Sequence, residues 1–261
     1  MQGAGKCAVK VSVILPTYNE AGNIVDLVAT IKKQIPASWT REIVVVDDNS
    51  SDGTLDLVRE AYAGDCEVKT ILRTSDRGLA TSIRTGIEAA TGDYLLVMDT
   101  DFTHRPEEIP RMLHVVQIAD LVNGSRFCPG GGMADTKHYL ASFVYNLLVR
   151  FIIRTQIQDN LGGFWVADAG LIRRLPFNEI FFGYGDYYIR LLHFAQYAGM
   201  RVIELPSQYC ERTSGTSKSN FGKLLFQYSM MVLKLAVRNS GKKFAATTDK
   251  PAPVLARRFA R

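Results

Sequence analysis

The stretch Tyr94–Asp101 (YLLVMDTD) constrains this chain more than any other. Its apolar part, Tyr94 to Met98, is too short for a helix of its own, and it is typical of a buried parallel strand. Residues two apart in an extended chain point the same way, so Asp99 and Asp101 can converge on one target. Two hard oxygen ligands at a strand end suit a divalent cation that also holds phosphates. Acidic residues also follow strands as helix caps, so the stretch alone leaves both interpretations open.

Two earlier apolar runs also end in polar clusters. Val11–Leu15 precedes Pro16–Glu20 (PTYNE), and Ile43–Val46 precedes Asp47–Asp52 (DDNSSD). Apolar residues at helical spacing separate these runs, so strand and helix alternate along the first part of the chain. That alternation predicts a parallel sheet covered by helices on both faces, in which ligands bind at the carboxyl ends of the strands. Polar clusters at several strand ends are therefore more informative than any one of them.

Composition and missing motifs argue against several classes of protein. The net charge of +5 suits anionic partners such as nucleotides, lipid phosphates or acidic membrane surfaces. The chain has no recognised nucleic-acid-binding motif, so we expect no nucleic acid partner. It also has no Gly-x-Gly-x-x-Gly fingerprint and no Walker-type loop, so we expect neither a dehydrogenase nor a P-loop NTPase. The four cysteines lack the spacing of a zinc site or a disulfide framework, as in a cytosolic protein. With no signal core and no run of roughly 20 apolar residues, any membrane role is expected to be peripheral or supplied by a partner.

The motifs of the chain occur in an order that points to one known family. In sequence they are VSVILPTYNE, EIVVVDDNSSDGT, RGLATSIRTGIEAATGDYLLVMDTD, FTHRPEE, NGSRFCPGGG, DNLGGF and VIELPSQYCERTSGTSKSN. Together they resemble family 2 glycosyltransferases, and within that family the dolichyl-phosphate mannosyltransferases and their polyprenyl-phosphate hexosyltransferase relatives. The resemblance implies a GT-A type α/β fold, with a Rossmann-like, mostly parallel sheet flanked by helices and with C-terminal amphipathic helices.

This resemblance covers about residues 9–222 and suggests a division of the chain. The parts are an N-terminal tail (1–8), a catalytic domain (9–222) with a nucleotide-sugar half (9–105) and an acceptor half (106–222), an amphipathic helix (223–239), and a basic tail expected to be disordered (240–261). Tyr139–Ile153 and Leu224–Val237 are apolar helices with basic residues at their edges. Such helices either lie at a membrane surface or pack in a core, and the sequence leaves both open.

The resemblance also implies roles for residues in the donor half. In the family, this half binds a nucleotide-sugar, and the acidic pair holds Mg²⁺ or Mn²⁺ on its diphosphate. Asp99 and Asp101 are accordingly expected to bind donor and metal, with Asp101 catalytic. Tyr18 could instead be a core aromatic residue, and Glu20 a charge favoured at a helix N-terminus. The remaining residues expected to bind the donor are Pro16, Tyr18, Glu20 and Asp48, the last at the base or ribose.

For the acceptor half, the resemblance puts Arg126 on the acceptor phosphate as a catalytic residue, unless it is a surface salt-bridge residue. Relatives carry an arginine four residues before a serine, where this chain has His138 before Ser142. These two residues are expected to complete the acceptor-phosphate site. Arg212 and Lys218 are expected to close over the diphosphate and offset the charge of the leaving group, unless they belong to a solvated basic loop.

The resemblance implies inverting transfer of a hexose, with mannose favoured, from a nucleotide-diphosphate sugar to a polyprenyl (dolichyl-type) phosphate. GDP-mannose is the favoured donor, with UDP-glucose as the alternative. A phosphate acceptor, with a second pKa of about 6, is already ionised near neutral pH and needs no general base. A saccharide hydroxyl would need one, for which Asp159 and Asp186 are the candidates, although Asp186 could also be a helix cap.

Two other functions remain open: transfer to a saccharide hydroxyl in polysaccharide or glycan assembly, and non-catalytic binding of a nucleotide-sugar within a membrane complex. We expect a protein on the cytoplasmic face of a membrane, with or without a membrane-anchoring subunit.

Overall fold

The computed structural model describes residues 9–211 and the helix of residues 221–239, whose side chains are described from 226 to 238. The predicted tails, residues 1–8 and 240–261, lie outside the described residues. The strands are β1 (Val9–Thr17), β2 (Trp39–Asp47), β3 (Val68–Leu72), β4 (Tyr94–Val97), β5 (Leu121–Ser125), β6 (Gly132–Met133), β7 (Trp165–Asp168), β8 (Val202–Pro206) and β9 (Gln208–Tyr209). The helices are α1 (Ile24–Gln34), α2 (Thr54–Ala61), α3 (Leu79–Ala89), a 3₁₀ turn (Pro106–Glu108), α4 (Ile109–Val115), α5 (Thr136–Ile153), α6 (Ala169–Ile172), α7 (Phe177–Ile180), α8 (Tyr187–Tyr197) and α9 (Phe221–Asn239).

A seven-stranded sheet in the order β3-β2-β1-β4-β7-β5-β8 forms the centre of the fold. The predicted mostly parallel α/β sheet is confirmed, with one exception: β7 runs antiparallel to both β4 and β5. All four residues of β7 are buried, so its apolar pattern carries no information about direction. From β1 the chain proceeds to β2 and β3 on one side and reaches β4 on the other. The crevice between β1 and β4 is therefore the switch point at which open α/β sheets bind ligands.

Two apolar clusters cover the faces of this sheet. Alternate residues of β1 point to opposite faces, so Val13 and Leu15 pack with α1 and α4, whereas Ile14 packs with α3 and α8. Helix α3 lies very close to the sheet at Gly86, where a Cβ atom would contact the side chain of Ile14 and lie 3.2 Å from Val46 Cγ2. The absence of a side chain at Gly86 is thus a packing requirement.

Helices α5 and α9 form a third layer on α8. Their inner faces contribute Tyr145, Val149, Ile153, Met231, Val232 and Leu235 to a cluster with Ile189. Their outer faces leave other apolar side chains exposed: Leu140, Phe143, Val144, Leu147, Leu148, Phe151, Phe226, Met230, Leu233 and Val237. Core packing and an exposed apolar face therefore coexist on the same helices. Within the described ranges, no helix is both long and apolar enough to cross a bilayer.

Candidate active site

The predicted polar clusters meet at the carboxyl edge of the sheet. Thr17 is paired with Asp47 in register, and Ile14 with Val97, so the loops that follow β1, β2 and β4 leave the sheet side by side. The side chain of Asp99 is 47% exposed, whereas Asp101 is nearly buried. The fold thus brings the residues expected to bind donor and metal to one crevice.

The loop after β4 holds its two carboxylates in a strained turn. Asp101 Oδ1 accepts hydrogen bonds from the backbone N–H of Thr103 at 3.1 Å and from its hydroxyl at 2.6 Å. Phe102, which lies between Asp101 and Thr103, has a φ of 61°, in the left-handed region that bulky residues seldom adopt. The carbonyl of Thr103 in turn accepts the backbone N–H of Cys210 at 3.0 Å. This turn presents Asp99 and Asp101 in a fixed arrangement.

The two carboxylates suit a cation that is coordinated by substrate phosphate oxygens as well as by the protein. Among the described residues, no group of three or more His, Cys, Asp or Glu side chains could hold a metal ion. Mg²⁺ and Mn²⁺ do not need such a cage, because Mg²⁺ is commonly bound by one or two carboxylates and completed by substrate phosphates and water. Asp99 and Asp101 would supply those carboxylates.

The loops after β1 and β2 are fastened to each other. The backbone N–H groups of Asn19 and Glu20 donate to the hydroxyls of Ser50 at 2.8 Å and Thr54 at 2.9 Å. Pro16 is buried in β1, and Glu20 accepts a hydrogen bond from Asn23 at 2.9 Å. The two loops expected to bind the donor thus form one hydrogen-bonded rim.

Tyr18 stands on this rim and is 42% exposed, so the alternative of a core aromatic residue is wrong. The guanidinium carbon of Arg77 lies 4.8 Å from the centre of its ring. Arg77 was not singled out in the sequence, because an arginine in a loop has no local signal that distinguishes it from a solvated charge.

The adjacent carboxylates of Asp47 and Asp48 have different partners. Asp47 accepts hydrogen bonds from Thr17 and Ser50, whereas Asp48 accepts from Arg73 and from the backbone N–H of Gly78 at 2.6 Å. Burial raises the pKa of Asp48, and the bonds from Gly78 and Arg73 offset only part of that effect. Asp48 therefore fastens the start of α3 to β2, and its contact with a base or ribose stays a prediction.

Arg126 lies in a buried ion pair with Asp159. Its Nε and Nη2 atoms each lie 2.8 Å from an Asp159 oxygen, and its backbone N–H donates to the same carboxylate at 3.0 Å. Burial alone would raise the pKa of Asp159, but the charge and hydrogen bonds of Arg126 hold it below its ordinary value. The surface salt-bridge alternative is therefore wrong. Because these two nitrogens bind Asp159, contact of Arg126 with an acceptor phosphate stays a prediction that this arrangement does not favour.

The two candidate general bases are both engaged by arginines. Asp159 is fully buried against Arg126. Asp186 pairs with the buried Arg190 and accepts the backbone N–H of Tyr184 at 3.0 Å. Asp186 occupies the N-cap position of α8, although its side chain makes no capping hydrogen bond. Neither carboxylate is arranged to take a proton from an acceptor hydroxyl.

The remaining predicted acceptor residues lie on or near α5. His138 Nδ1 lies 2.6 Å from Asp135, which caps the helix through the backbone N–H groups of Lys137 and His138. Ser142 lies one turn further on and is half-buried. Their phosphate contacts stay predictions, and Arg212 and Lys218 lie outside the described residues.

Comparisons with known proteins agree with this geometry. Residues 12–181 match the family described as Glycosyl transferase family 2. The chain is 33% identical to the undecaprenyl-phosphate mannosyltransferase of Micrococcus luteus, over 82% of this chain and 88% of that protein. It is 32% identical to the dolichol-phosphate mannosyltransferase of Pyrococcus furiosus, over 87% of this chain and 63% of that protein.

The fold of this chain is also similar to that of a solved structure. Glucosyl-3-phosphoglycerate synthase from Mycobacterium tuberculosis, solved with Mn²⁺, UDP and phosphoglyceric acid, superposes with a TM-score of 0.67 at 18% identity, over 88% of this chain and 80% of that one. Another structure of the same enzyme contains Mg²⁺ and UDP. These matches and the carboxylate-bearing switch point lead to one conclusion: this chain is a glycosyltransferase of family 2 with a GT-A fold.

Proposed function

We propose that the protein transfers a hexose, with mannose favoured, from a nucleotide-diphosphate sugar to a polyprenyl phosphate, with inversion at the anomeric carbon. The names of the relatives support this acceptor. The observation that carries the proposal is the state of the two candidate bases: Asp159 and Asp186 are each paired with an arginine. A site whose two candidate bases are both paired suits an acceptor that arrives already ionised, as a phosphate monoester does.

In this proposal the donor diphosphate lies at the crevice between β1 and β4. Asp99 and Asp101 would hold Mg²⁺ or Mn²⁺, which when bound offsets negative charge on the departing nucleoside diphosphate. Tyr18 and Arg77 stand on the rim of the same crevice and offer an aromatic face and a cation to the nucleotide. The acceptor phosphate attacks the anomeric carbon from the opposite face.

A transfer assay tests the proposal. Purified protein is incubated with Mg²⁺ or Mn²⁺ and radiolabelled GDP-mannose or UDP-glucose, and each donor is offered with a short polyprenyl phosphate or with the matching free polyprenol. We expect label in the organic phase only with the phosphate, and its loss on chelation. Equal label in the organic phase with the free polyprenol would contradict the proposal and favour a hydroxyl acceptor.

We also propose that the outer faces of α5 and α9 rest on the membrane that holds the lipid acceptor. Phe151 and Val237 are 84% and 76% exposed, and Arg150 and Lys234 lie on the same helices. Apolar side chains with a basic edge are what an interfacial helix needs.

Charged substitutions test this contact. Phe151→Glu and Val237→Glu are each expected to lower binding to vesicles that contain anionic lipid by roughly tenfold or more, because each removes a large apolar side chain from the membrane. Ile118→Glu is the control, since Ile118 is 66% exposed but lies beyond α4, outside this layer. Equal binding by all three variants would show that the membrane contact lies elsewhere.

A further inference from the structure

His104 connects the loop that carries Asp99 with the loop that carries Asp159. Its side chain is fully buried. The Nδ1 atom accepts the backbone N–H of Asp99 at 2.9 Å. The Nε2 atom lies 2.6 Å from the hydroxyl of Tyr209 and 3.3 Å from the carbonyl oxygen of Gly162.

The hydrogen-bond pattern determines where the protons lie. Because Nδ1 accepts from an N–H group, the neutral ring carries its proton on Nε2. The hydroxyl of Tyr209 donates to the carbonyl of Gly162 in a short hydrogen bond, so this hydroxyl is an acceptor for Nε2–H. A directional chain thus runs from the Asp99 N–H through His104 and Tyr209 to Gly162.

The first end of this chain closes the strained turn. A left-handed conformation at a residue such as Phe102 is unfavourable and persists only where the surrounding structure enforces it. The bond from Asp99 to His104 spans Phe102, and the bonds of Thr103 to Asp101 lie inside it. His104 therefore helps to hold the backbone from which both acidic side chains project.

The second end reaches the buried ion pair. A Cβ atom at Gly162 would lie 2.9 Å from the hydroxyl of Tyr209, so the two groups pack without space between them. The ring of Tyr209 lies 4.8 Å from the guanidinium carbon of Arg126, and the ring of His104 stacks on Phe164 at 5.0 Å. His104 is therefore in contact with both loops.

We propose that His104 is a positioning residue that couples the carboxylate-bearing turn of residues 99–104 to the loop of residues 159–163. The nature of the bound ligand rests on the proposed function, but the coupling is a property of the chain alone. Through it, the placement of Asp99 and Asp101 depends on Tyr209, which lies far away in the sequence.

Hydrogen–deuterium exchange tests the coupling without any ligand. Tyr209→Phe removes only the hydroxyl that joins His104 to Gly162. We expect exchange at residues 99–104 to become about threefold to tenfold faster, as loss of one hydrogen bond allows. Tyr62→Phe is the control, because its hydroxyl donates a hydrogen bond of 2.9 Å to the carbonyl of Val25 in α1, outside both coupled loops. Equal exchange at residues 99–104 in the two variants would overturn the proposal.

Substitutions of His104 separate its two nitrogens. His104→Asn keeps an acceptor near Asp99 and loses the donor to Tyr209, whereas His104→Gln does the reverse. We expect hydrogen–deuterium exchange at the backbone N–H of Asp99 to be faster in His104→Gln than in His104→Asn. In His104→Asn, the added change Tyr209→Phe should have no further effect there. Additive effects of the two substitutions would contradict a shared chain.

Binding of Mn²⁺ together with GDP or UDP, measured by calorimetry well below the melting temperature, gives the functional readout. His104→Gln is expected to weaken it about threefold to tenfold, and Tyr62→Phe to leave it within about twofold. Unchanged affinity in His104→Gln, with only a lower melting temperature, would reduce His104 to a structural residue. If the wild-type protein binds neither nucleotide, the proposed donor is wrong, and the exchange experiment still decides the coupling.

Discussion

Replacing Asp159 by Asn should destabilise the protein strongly, although the two side chains have the same shape. The Asp159 carboxylate accepts hydrogen bonds from Nε, Nη2 and the backbone N–H of Arg126, and from the backbone N–H of Leu161. An asparagine has one accepting oxygen, and its amide nitrogen would face an N–H donor. Arg126 would remain buried and positively charged without an anion.

The cost of leaving such a charge unpaired is about 3–5 kcal/mol. For a domain of this size, 1 kcal/mol shifts the melting temperature by roughly 2–4 °C, so the expected fall is roughly 6–20 °C. Thermal unfolding followed by circular dichroism measures it. Asp135→Asn is the control, because its pair with His138 is exposed at both side chains and should matter little.

The pH dependence of this effect has a defined sign. The pKa of Asp159 is lower in the folded protein than its ordinary value, so its contribution is present above the ordinary pKa of about 3.9 and is lost as pH falls through the folded value. The difference in melting temperature between wild type and Asp159→Asn should be constant near neutral pH and become smaller below about pH 4. If the melting temperature of Asp159→Asn at neutral pH were lower than that of wild type by less than about 2 °C, the reasoning would be refuted, because the buried charge would then be solvated or absent.

Two further changes test the packing and the chemistry. Gly86→Ala should lower the free energy of unfolding measured in urea by about 1–3 kcal/mol, because its Cβ atom would contact Ile14. Thr85→Ala on the same helix is the control, because it adds no contact. Equal stability of the two variants would show that α3 can shift. Asp101→Ala should lower transfer on the order of a hundredfold or more without weakening vesicle binding. Such a result would also exclude a non-catalytic nucleotide-sugar binder, whereas transfer within about tenfold of wild type would contradict the metal assignment.

Local patterns were sufficient to predict the elements of the first half. Strand β3 and helix α3 follow from β-branched or periodic apolar residues that lie within one segment. The acidic pair after β4 could be assigned to a ligand edge for the same reason, since parallel strands place their carboxyl ends together. The family resemblance added the chemistry of the bound ligand.

The pairing of polar side chains depended on the tertiary structure. Arg126 and Asp159 are 33 residues apart, and His104 and Tyr209 are 105 apart, so no local pattern indicates that they meet. The resemblance assigned Arg126 to an acceptor phosphate, and Asp159 was a candidate base, but only the fold shows that the two are buried against each other. The direction of β7 was hidden for a related reason, because a strand buried on both faces has the same apolar pattern in either direction.

The sequence by itself thus determined which residues end strands and which faces of helices are apolar, since both depend on chemistry within a few residues. Only the tertiary structure decided which charges neutralise one another and which remain exposed at the crevice. Burial in a low-dielectric interior makes an unpaired charge costly, and the partner that relieves this cost is selected by the fold and not by sequence distance.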